Sequence, residues 1–217
     1  TTNRELNAFT FNGVGSGTTL EYLQAFRGQD DGFEWFGGTA NVRYALVTCG
    51  GDDGFDWDEG FTGKLQFGVV DQRGCPGSNH GFELSNSPTN VDATPRARGT
   101  VANVTVVGPS AVTGSDGMVV NSGSGGNFYN MIIAGFPRAC VGFDGVATET
   151  AAGNPDVGLS GVLTGNNIKI AGCTANTRTG TGLSANFAQR WFASQTGNEA
   201  LATSPLATGS VLPNGAA

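Results

Sequence analysis

The sequence DDGFEW at residues 30–35 is followed by DDGFDW at residues 52–57, and the two hexapeptides are identical at five of six positions. The offset between them is 22 residues, and a weaker third copy, NHGFEL, stands at residues 79–84. Fainter alternating runs continue along the chain, at residues 101–107, 128–133 and 167–171. Short alternating strands that recur at such an interval, separated by Gly and Asn, are typical of a β-solenoid. The repeat therefore predicts an all-β fold, a right-handed parallel β-helix of about six to eight coils.

The composition fits this fold class and excludes several others. Gly accounts for 36 of the 217 residues and charged residues for only 13%, whereas 38% of the chain is hydrophobic. A disordered chain, a collagen helix and a helical bundle are therefore excluded. The net charge of −7 and the lack of a basic cluster argue against nucleic acid and anionic membranes as partners. No apolar run is long enough to span a bilayer.

Alternation along each copy separates core residues from surface residues, because successive side chains of a strand point to opposite faces. One parity is aromatic or aliphatic and is expected to stack inward: Phe33, Trp35, Phe55, Trp57, Phe82 and Leu84. The opposite parity is acidic and should form an outward ladder: Glu34, Asp56 and Glu83. A glycine before each core pair is expected to mark a bend of the backbone: Gly32, Gly54, Gly81 and Gly117. The alternative fold, a β-sandwich, would not repeat one hexapeptide at a fixed offset.

Residues 30–59 are unusually acidic, with eight of the 18 acidic residues of the chain and a single basic one, Arg43. Carboxylates stacked on adjacent strands repel, so they need Ca²⁺, a basic partner or a shared proton. The sequence predicts a Ca²⁺ site among six aspartates: Asp30, Asp31, Asp52, Asp53, Asp56 and Asp58. A second polar column falls at the turn before each core strand: Asp31, Asp53, His80 and Asp116. The alternative for all these turn residues is that they only cap the backbone.

The four cysteines allow three disulfide pairings. Their separations favour Cys49–Cys75 and Cys140–Cys173, because each pair is close enough to join neighbouring coils. Two disulfides, few lysines and an acidic chain indicate a secreted or cell-surface protein. The alternative is four free thiols in a cytosolic protein.

The repeat divides the chain into a β-helix at residues 1–185 and a C-terminal capping segment at residues 186–217, which begins with a short amphipathic helix. The chain starts without Met and is already strand-like at residues 6–11, so we expect a piece of a longer precursor. The first strand would expose unpaired backbone groups. Upstream coils of the same precursor, a separate partner or the far end of another copy would cover them, and the last arrangement would propagate into a filament.

Several motifs resemble a widespread group of bacterial surface proteins. The run GVGSGTTLEY at residues 13–22 and the run DDGFEWFGGT at residues 30–39 carry the resemblance, together with GDD at residues 51–53 and NHGFE at residues 79–83. These proteins are uncharacterised, are often described as lipoproteins, and have a right-handed β-helix architecture. The resemblance covers roughly residues 6–145 and implies the fold and a surface location, and it brings no catalytic residues.

A weaker similarity links the chain to the polygalacturonase-type glycosidases, which carry an Asp-Asp pair and a His-Gly on successive coils. The similarity implies that Asp52 and Asp53 act as the general acid and the general base, and that His80 tunes their ionisation. The basic substrate-binding motif of that family has no match, and Asp-Asp-Gly recurs at residue 30. We therefore expect a non-enzymatic surface solenoid that acts as a structural, adhesive or glycan-binding module, with no favoured catalytic residue. The alternative is a polysaccharide-cleaving enzyme, either an inverting glycoside hydrolase or a lyase.

Overall fold

A computed structural model describes residues 6–109 and 112–212 of the chain. Two parallel sheets run along the molecule, and within the described residues each contains seven strands. The first, the short-strand sheet, consists of β1 (Phe9–Asn12), β3 (Phe33–Phe36), β5 (Phe55–Asp58), β7 (Phe82–Leu84), β9 (Asp116–Val120), β11 (Ala139–Phe143) and β15 (Ala175–Thr179). The second, the long-strand sheet, consists of β2 (Thr19–Phe26), β4 (Asn41–Thr48), β6 (Lys64–Asp71), β8 (Thr100–Val107), β10 (Gly126–Ala134), β14 (Leu163–Ala171) and β16 (Glu199–Leu201).

The chain alternates between the two sheets, so each short strand and the long strand after it form one coil. Within these two sheets, each strand pairs in parallel with its equivalent on the next coil, which confirms the predicted right-handed parallel β-helix. The remaining elements are helices α1 (Val146–Ala152) and α2 (Phe187–Ser194) and the small hairpin of β12 (Gly153–Asn154) and β13 (Gly158–Leu159). Among the described residues, no helix is long and apolar enough to cross a membrane.

The predicted inward residues form the core. Phe33 pairs with Phe55, and Phe55 pairs with Phe82, with ring centroids 5.5 and 5.1 Å apart. All six predicted core residues are buried, and Trp35 and Trp57 are among the largest fully buried side chains. Full burial of an aromatic or aliphatic side chain contributes roughly 1.5–3 kcal/mol. The stacked columns therefore hold successive coils in register.

Three of the four predicted glycines, Gly32, Gly54 and Gly81, lie at bends just before their strands as predicted, whereas Gly117 lies within β9. The glycine column is also needed for close packing. None of the four predicted glycines has a positive φ. A Cβ atom on Gly117 would lie 2.1 Å from Cγ2 of Ile133 and 2.6 Å from the carbonyl oxygen of Cys140. The short-strand sheet approaches the long-strand sheet so closely here that only a hydrogen atom fits.

Both predicted disulfides are present. Cys49–Cys75 and Cys140–Cys173 join neighbouring coils with Cα–Cα distances of 5.2 and 5.5 Å, and no described cysteine is free. Cross-links of this kind stabilise a chain by about 2–4 kcal/mol each.

Helix α2 forms where the sequence predicts a short amphipathic helix, and it closes one end of the core. Phe187 and Trp191 pack their rings against Phe143, with centroids 5.4 and 5.0 Å away. The indole N–H of Trp191 donates to the carbonyl of Leu163 over 3.2 Å. After the helix, β16 adds a last strand to the long-strand sheet, so sheet structure continues within the predicted capping segment. Residues 213–217 of that segment lie outside the described residues.

Candidate functional site

The outward face of the short-strand sheet carries the acidic ladder. Glu34 lies opposite Asp56, and Asp56 lies opposite Glu83. The next positions of this column are Val119, Gly142 and Arg178, so its charge changes along the molecule.

Side chains of the second polar column hold adjacent coils together. Oδ1 of Asp31 accepts the backbone N–H of Asp53 (2.9 Å), and Oδ1 of Asp53 accepts the backbone N–H of His80 (2.6 Å). Nδ1 of His80 in turn accepts the backbone N–H of Asp116 (2.9 Å). The series begins at Asn7, whose Oδ1 accepts the N–H of Asp31 (3.3 Å). Each side chain therefore satisfies a backbone donor of the following coil, in a buried environment where an unpaired donor is costly.

His80 has a fixed tautomer as a result. Because Nδ1 accepts a hydrogen bond, the ring is neutral and carries its proton on Nε2. Burial lowers the pKa of His80, which favours the same neutral form. The carbonyl oxygen of His80 also accepts a hydrogen bond from the buried side chain of Gln72 (2.9 Å). His80 is thus built into the turn.

Asp116, at the far end of this column, has counter-charges supplied by the protein. Its fully buried carboxylate accepts hydrogen bonds from Nε (2.9 Å) and Nη2 (2.6 Å) of Arg138. Arg178 donates to the same carboxylate and, through two further bonds, to Asp144. The hydrogen bonds from Arg178 lower the pKa of Asp144, and the same bonds raise the pKa of Arg178. Two guanidinium groups therefore neutralise two carboxylates.

The N-terminal part of the same face forms an open groove with a volume of about 380 Å³. We call it the carboxylate groove, and its described lining consists of Asn7, Thr10, Asp30, Asp31, Glu34, Phe36, Asp52, Asp53, Asp56 and Glu83. None of these residues is Lys or Arg. Among the described residues, no ion pair reaches Asp31, Asp53, Asp56 or Glu83. The groove thus differs sharply from the Asp116 end of the face.

Three carboxyls of the groove have raised pKa values, those of Asp31, Asp53 and Asp56. Burial, with repulsion from neighbouring carboxylates as a smaller cause, raises the pKa of Asp31 to about 8 from its ordinary value of 3.8. Burial likewise raises the pKa of Asp56 well above that value, with the charge on Asp31 as the next cause. Burial also raises the pKa of Asp53, and the nearby charge of Glu83 raises it further. A side-chain hydrogen bond with Glu83 is a further cause that raises the pKa of Asp53.

One buried carboxylate oxygen in the groove has no hydrogen-bond partner among the described residues. Oδ1 of Asp56 is buried and accepts no hydrogen bond from any described residue. A buried acceptor without a donor costs about 1–3 kcal/mol. This atom is therefore a specific place where a bound cation would relieve a cost of folding.

Three groups of side chains bring their ligand atoms within 4.8 Å of one another. They are Asp30 with Asp31 and Asp52, Asp31 with Glu34 and Asp56, and Asp53 with His80 and Glu83. Five of the six aspartates in the predicted Ca²⁺ set line the groove. The sixth, Asp58, does not; it lies in the next outward column opposite Phe36, and burial raises its pKa to about 7.

The chain matches the family model of the pectate-lyase-like β-helix domain over residues 1–208. It belongs to the pectate-lyase-like β-helix family. No curated protein and no solved structure matches this pectate-lyase-like β-helix significantly. The β-helix part of the resemblance is therefore confirmed, and the bacterial surface group stays a prediction.

Sequence reasoning missed several residues of this pectate-lyase-like β-helix that shape the site. Asn7 stands two residues before Phe9, just as Asp31 stands two residues before Phe33, and this spacing was the available signal. The neutralising groups Arg138 and Arg178, and the second carboxylate Asp144, lie outside the repeated hexapeptides, and no spacing in the sequence connects them with Asp116.

Proposed function

We propose that this protein is an extracellular, non-enzymatic β-helix module with a structural or adhesive role, and that its carboxylate groove binds Ca²⁺. One comparison within the molecule carries the proposal. At the C-terminal end of the acidic face, Arg138 and Arg178 neutralise Asp116. In the described part of the groove, no protein cation neutralises Asp31, Asp53 or Asp56. A cation from solution would take the corresponding place there.

The donor set suits a hard cation. Ca²⁺ takes six to eight oxygen ligands in flexible geometry, and carboxylates are its usual protein ligands. Asp31, Glu34 and Asp56 present oxygens close together, and Oδ1 of Asp56 has no other described partner. Extracellular Ca²⁺ modules bind with dissociation constants of about 10⁻⁴–10⁻³ M. The two disulfides support an extracellular location, where Ca²⁺ is abundant and thiols are oxidised.

Calorimetric titration of the metal-free protein with CaCl₂ at pH 8 tests this function. We expect saturable binding, and we expect Asp56→Asn to weaken it at least about tenfold by removing a charged ligand. Asn is close to Asp in shape and needs no proton to stay neutral, so this variant should fold. Asp92→Asn, which changes an exposed aspartate whose described ion pair is with Arg96, is the matched control and should bind like the wild type. No binding by the wild type, or equal binding by Asp56→Asn, would refute the proposed function.

Polysaccharide cleavage is the second candidate, favoured by the raised pKa of Asp53, whose carboxyl lies close to that of Glu83 and to the His80 ring. A carboxyl that stays protonated near neutral pH can serve as a general acid. However, Oδ1 of Asp53 and Nδ1 of His80 already accept backbone hydrogen bonds, which are structural tasks. We therefore expect no new reducing ends and no unsaturated products from polygalacturonate or neutral glucans. Product release by the wild type that disappears in Asp53→Asn and Glu83→Gln would instead establish an enzyme.

The partners proposed from the sequence concern the ends and the surface of the solenoid. We propose that the far end of another copy covers the first described strand of the solenoid, and sedimentation velocity at rising protein concentration measures this self-association.

A further inference from the structure

Each long strand except β16 contains one residue with a positive φ, and these residues form a column. The column runs Tyr22 (57°), Tyr44 (58°), Phe67 (61°), Asn103 (57°), Asn130 (53°) and Asn167 (57°). In every case the strand pairing skips this residue and continues on both sides of it. The long-strand sheet therefore turns a left-handed corner at the same place on six successive coils.

The residue types in this column change abruptly. Three coils use Asn, which tolerates the left-handed region better than other residues with a side chain. The three coils before them use Tyr, Tyr and Phe, for which a positive φ is a genuine outlier. Such a conformation costs about 1–3 kcal/mol for each residue and persists mainly at functional places. The fold does not require aromatic residues at this corner, because the later coils make it with Asn.

The three aromatic rings stack on one another along the solenoid, and we call them the aromatic ladder. The centroids of Tyr22 and Tyr44 are 4.6 Å apart with planes inclined by 9°, and those of Tyr44 and Phe67 are 5.0 Å apart and inclined by 12°. Tyr22 is 75% exposed and Phe67 is 39% exposed. Among the described residues, no ring stacks on the other face of Tyr22. The ladder thus offers one open ring face and a row of ring edges.

A row of planar polar side chains runs beside the ladder. Glu21, Arg43 and Gln66 are paired in register on the three strands that carry the rings. Nη1 of Arg43 lies 3.3 Å from the carboxylate of Glu21, and its guanidinium carbon lies 5.3 Å from the Tyr44 ring centroid. The two charges compensate each other, so the strip as a whole is close to neutral.

We propose that the aromatic ladder and the Glu21–Arg43–Gln66 row form a binding site for a neutral polysaccharide chain that lies along the solenoid axis. A sugar face packs on the open face of Tyr22, and sugar oxygens approach the ring edges, which carry partial positive charge. The planar polar side chains hydrogen-bond to sugar hydroxyls. An extended polysaccharide advances by nearly one strand spacing per sugar, so successive sugars meet equivalent groups on successive coils.

The size and charge of the strip favour this ligand over a folded protein. Three partly exposed rings offer at most a few hundred Å², whereas a stable protein interface buries about 800 Å² on each partner. The balanced charges of Glu21 and Arg43 favour a neutral ligand over an ionic one. The site lies on the long-strand sheet and does not depend on Ca²⁺ in the carboxylate groove, which lies on the short-strand sheet.

Affinity electrophoresis in gels containing hydroxyethylcellulose or glucomannan tests the proposal, with titration of cellohexaose, mannohexaose and chitohexaose as the quantitative measurement. The test variant carries Tyr22→Asn, Tyr44→Asn and Phe67→Asn, the residue that the same corner uses on later coils. We expect the wild type to bind at least one probe and the triple variant to bind it at least about tenfold more weakly. Because Asn relieves the strained φ, the triple variant should unfold in urea at the same concentration or a higher one.

Two control variants separate this site from other causes. Tyr129→Asn removes an exposed aromatic of the same sheet outside the ladder and should leave binding unchanged, as should Asp92→Asn, which changes an exposed aspartate away from both sites. Arg43→Gln keeps all three rings and should weaken binding. The proposal is overturned if the wild type binds none of the five probes, or if the triple variant binds as well as the wild type. If the triple variant is instead destabilised, unchanged binding by Arg43→Gln overturns it.

Discussion

Metal-free protein is expected to lose stability as the pH rises from about 5 to about 8, and Ca²⁺ is expected to restore it. The folded-state pKa of Asp31 is about 8 and that of Asp58 is about 7, against an ordinary value of 3.8. At pH values between the ordinary pKa of 3.8 and these raised values, the folded chain holds more protons than the unfolded chain. The free energy of unfolding therefore falls with rising pH over this window. Most small proteins with ion-paired aspartates show the opposite slope.

Ca²⁺ changes this slope because it binds the deprotonated carboxylates of the folded chain. At a free concentration about 100 times its dissociation constant, it should add about 2.7 kcal/mol to the free energy of unfolding. For a chain of this length that raises the melting temperature by roughly 5–10 °C at pH 8. Thermal melts at pH 5 and pH 8, with CaCl₂ or with EDTA, measure both effects. Identical melts with CaCl₂ and EDTA at pH 8 would contradict the expectation.

The change Asp116→Ala is expected to lower the free energy of unfolding by about 3 kcal/mol. Breaking a buried ion pair by removing one partner usually costs about 3–5 kcal/mol. The lower end of this energy range applies because the side chains of Arg138 and Arg178 are 37% and 20% exposed to solvent. The backbone N–H of residue 116 still donates to His80 in this variant, so only the carboxylate is lost.

Urea denaturation of Asp116→Ala beside Asp92→Ala measures this difference. Asp92 also pairs with an arginine, but its side chain is 76% exposed, so its loss should cost at most about 1 kcal/mol. Similar losses in the two variants would show that the Asp116 network is not a structural counterpart of a bound cation.

The fold was predictable because one short pattern recurs with both its spacing and its parity preserved. The hexapeptides at residues 30–35 and 52–57 place Phe over Phe and Trp over Trp, and the structure pairs these residues directly. The reason for the glycines was predicted less well. Gly117 looked like a bend in the sequence, whereas the constraint is contact with Ile133 on the other sheet, which no local pattern records.

The chemistry of the site was less accessible from the sequence, because identical residue types perform different tasks. Asp53 and Asp56 are three residues apart, but Asp53 accepts a backbone N–H of the next coil while Oδ1 of Asp56 has no described partner. The difference arises from coil-to-coil geometry. The corner at Tyr22 was hidden for another reason, since Tyr rarely adopts a positive φ and its sequence neighbourhood reads as an ordinary strand.

The most direct test of the central claim is to locate the cation itself. Crystals of the protein grown without metal at pH 8 and soaked in CaCl₂ should give an anomalous difference peak in the carboxylate groove. We predict that carboxylate oxygens of Asp31 and Asp56 lie about 2.3–2.6 Å from this peak, and that the peak is absent from crystals of Asp56→Asn. A groove without such a peak at millimolar Ca²⁺, with Asp31 and Asp56 hydrogen-bonded to neighbouring carboxyls instead, would contradict the account.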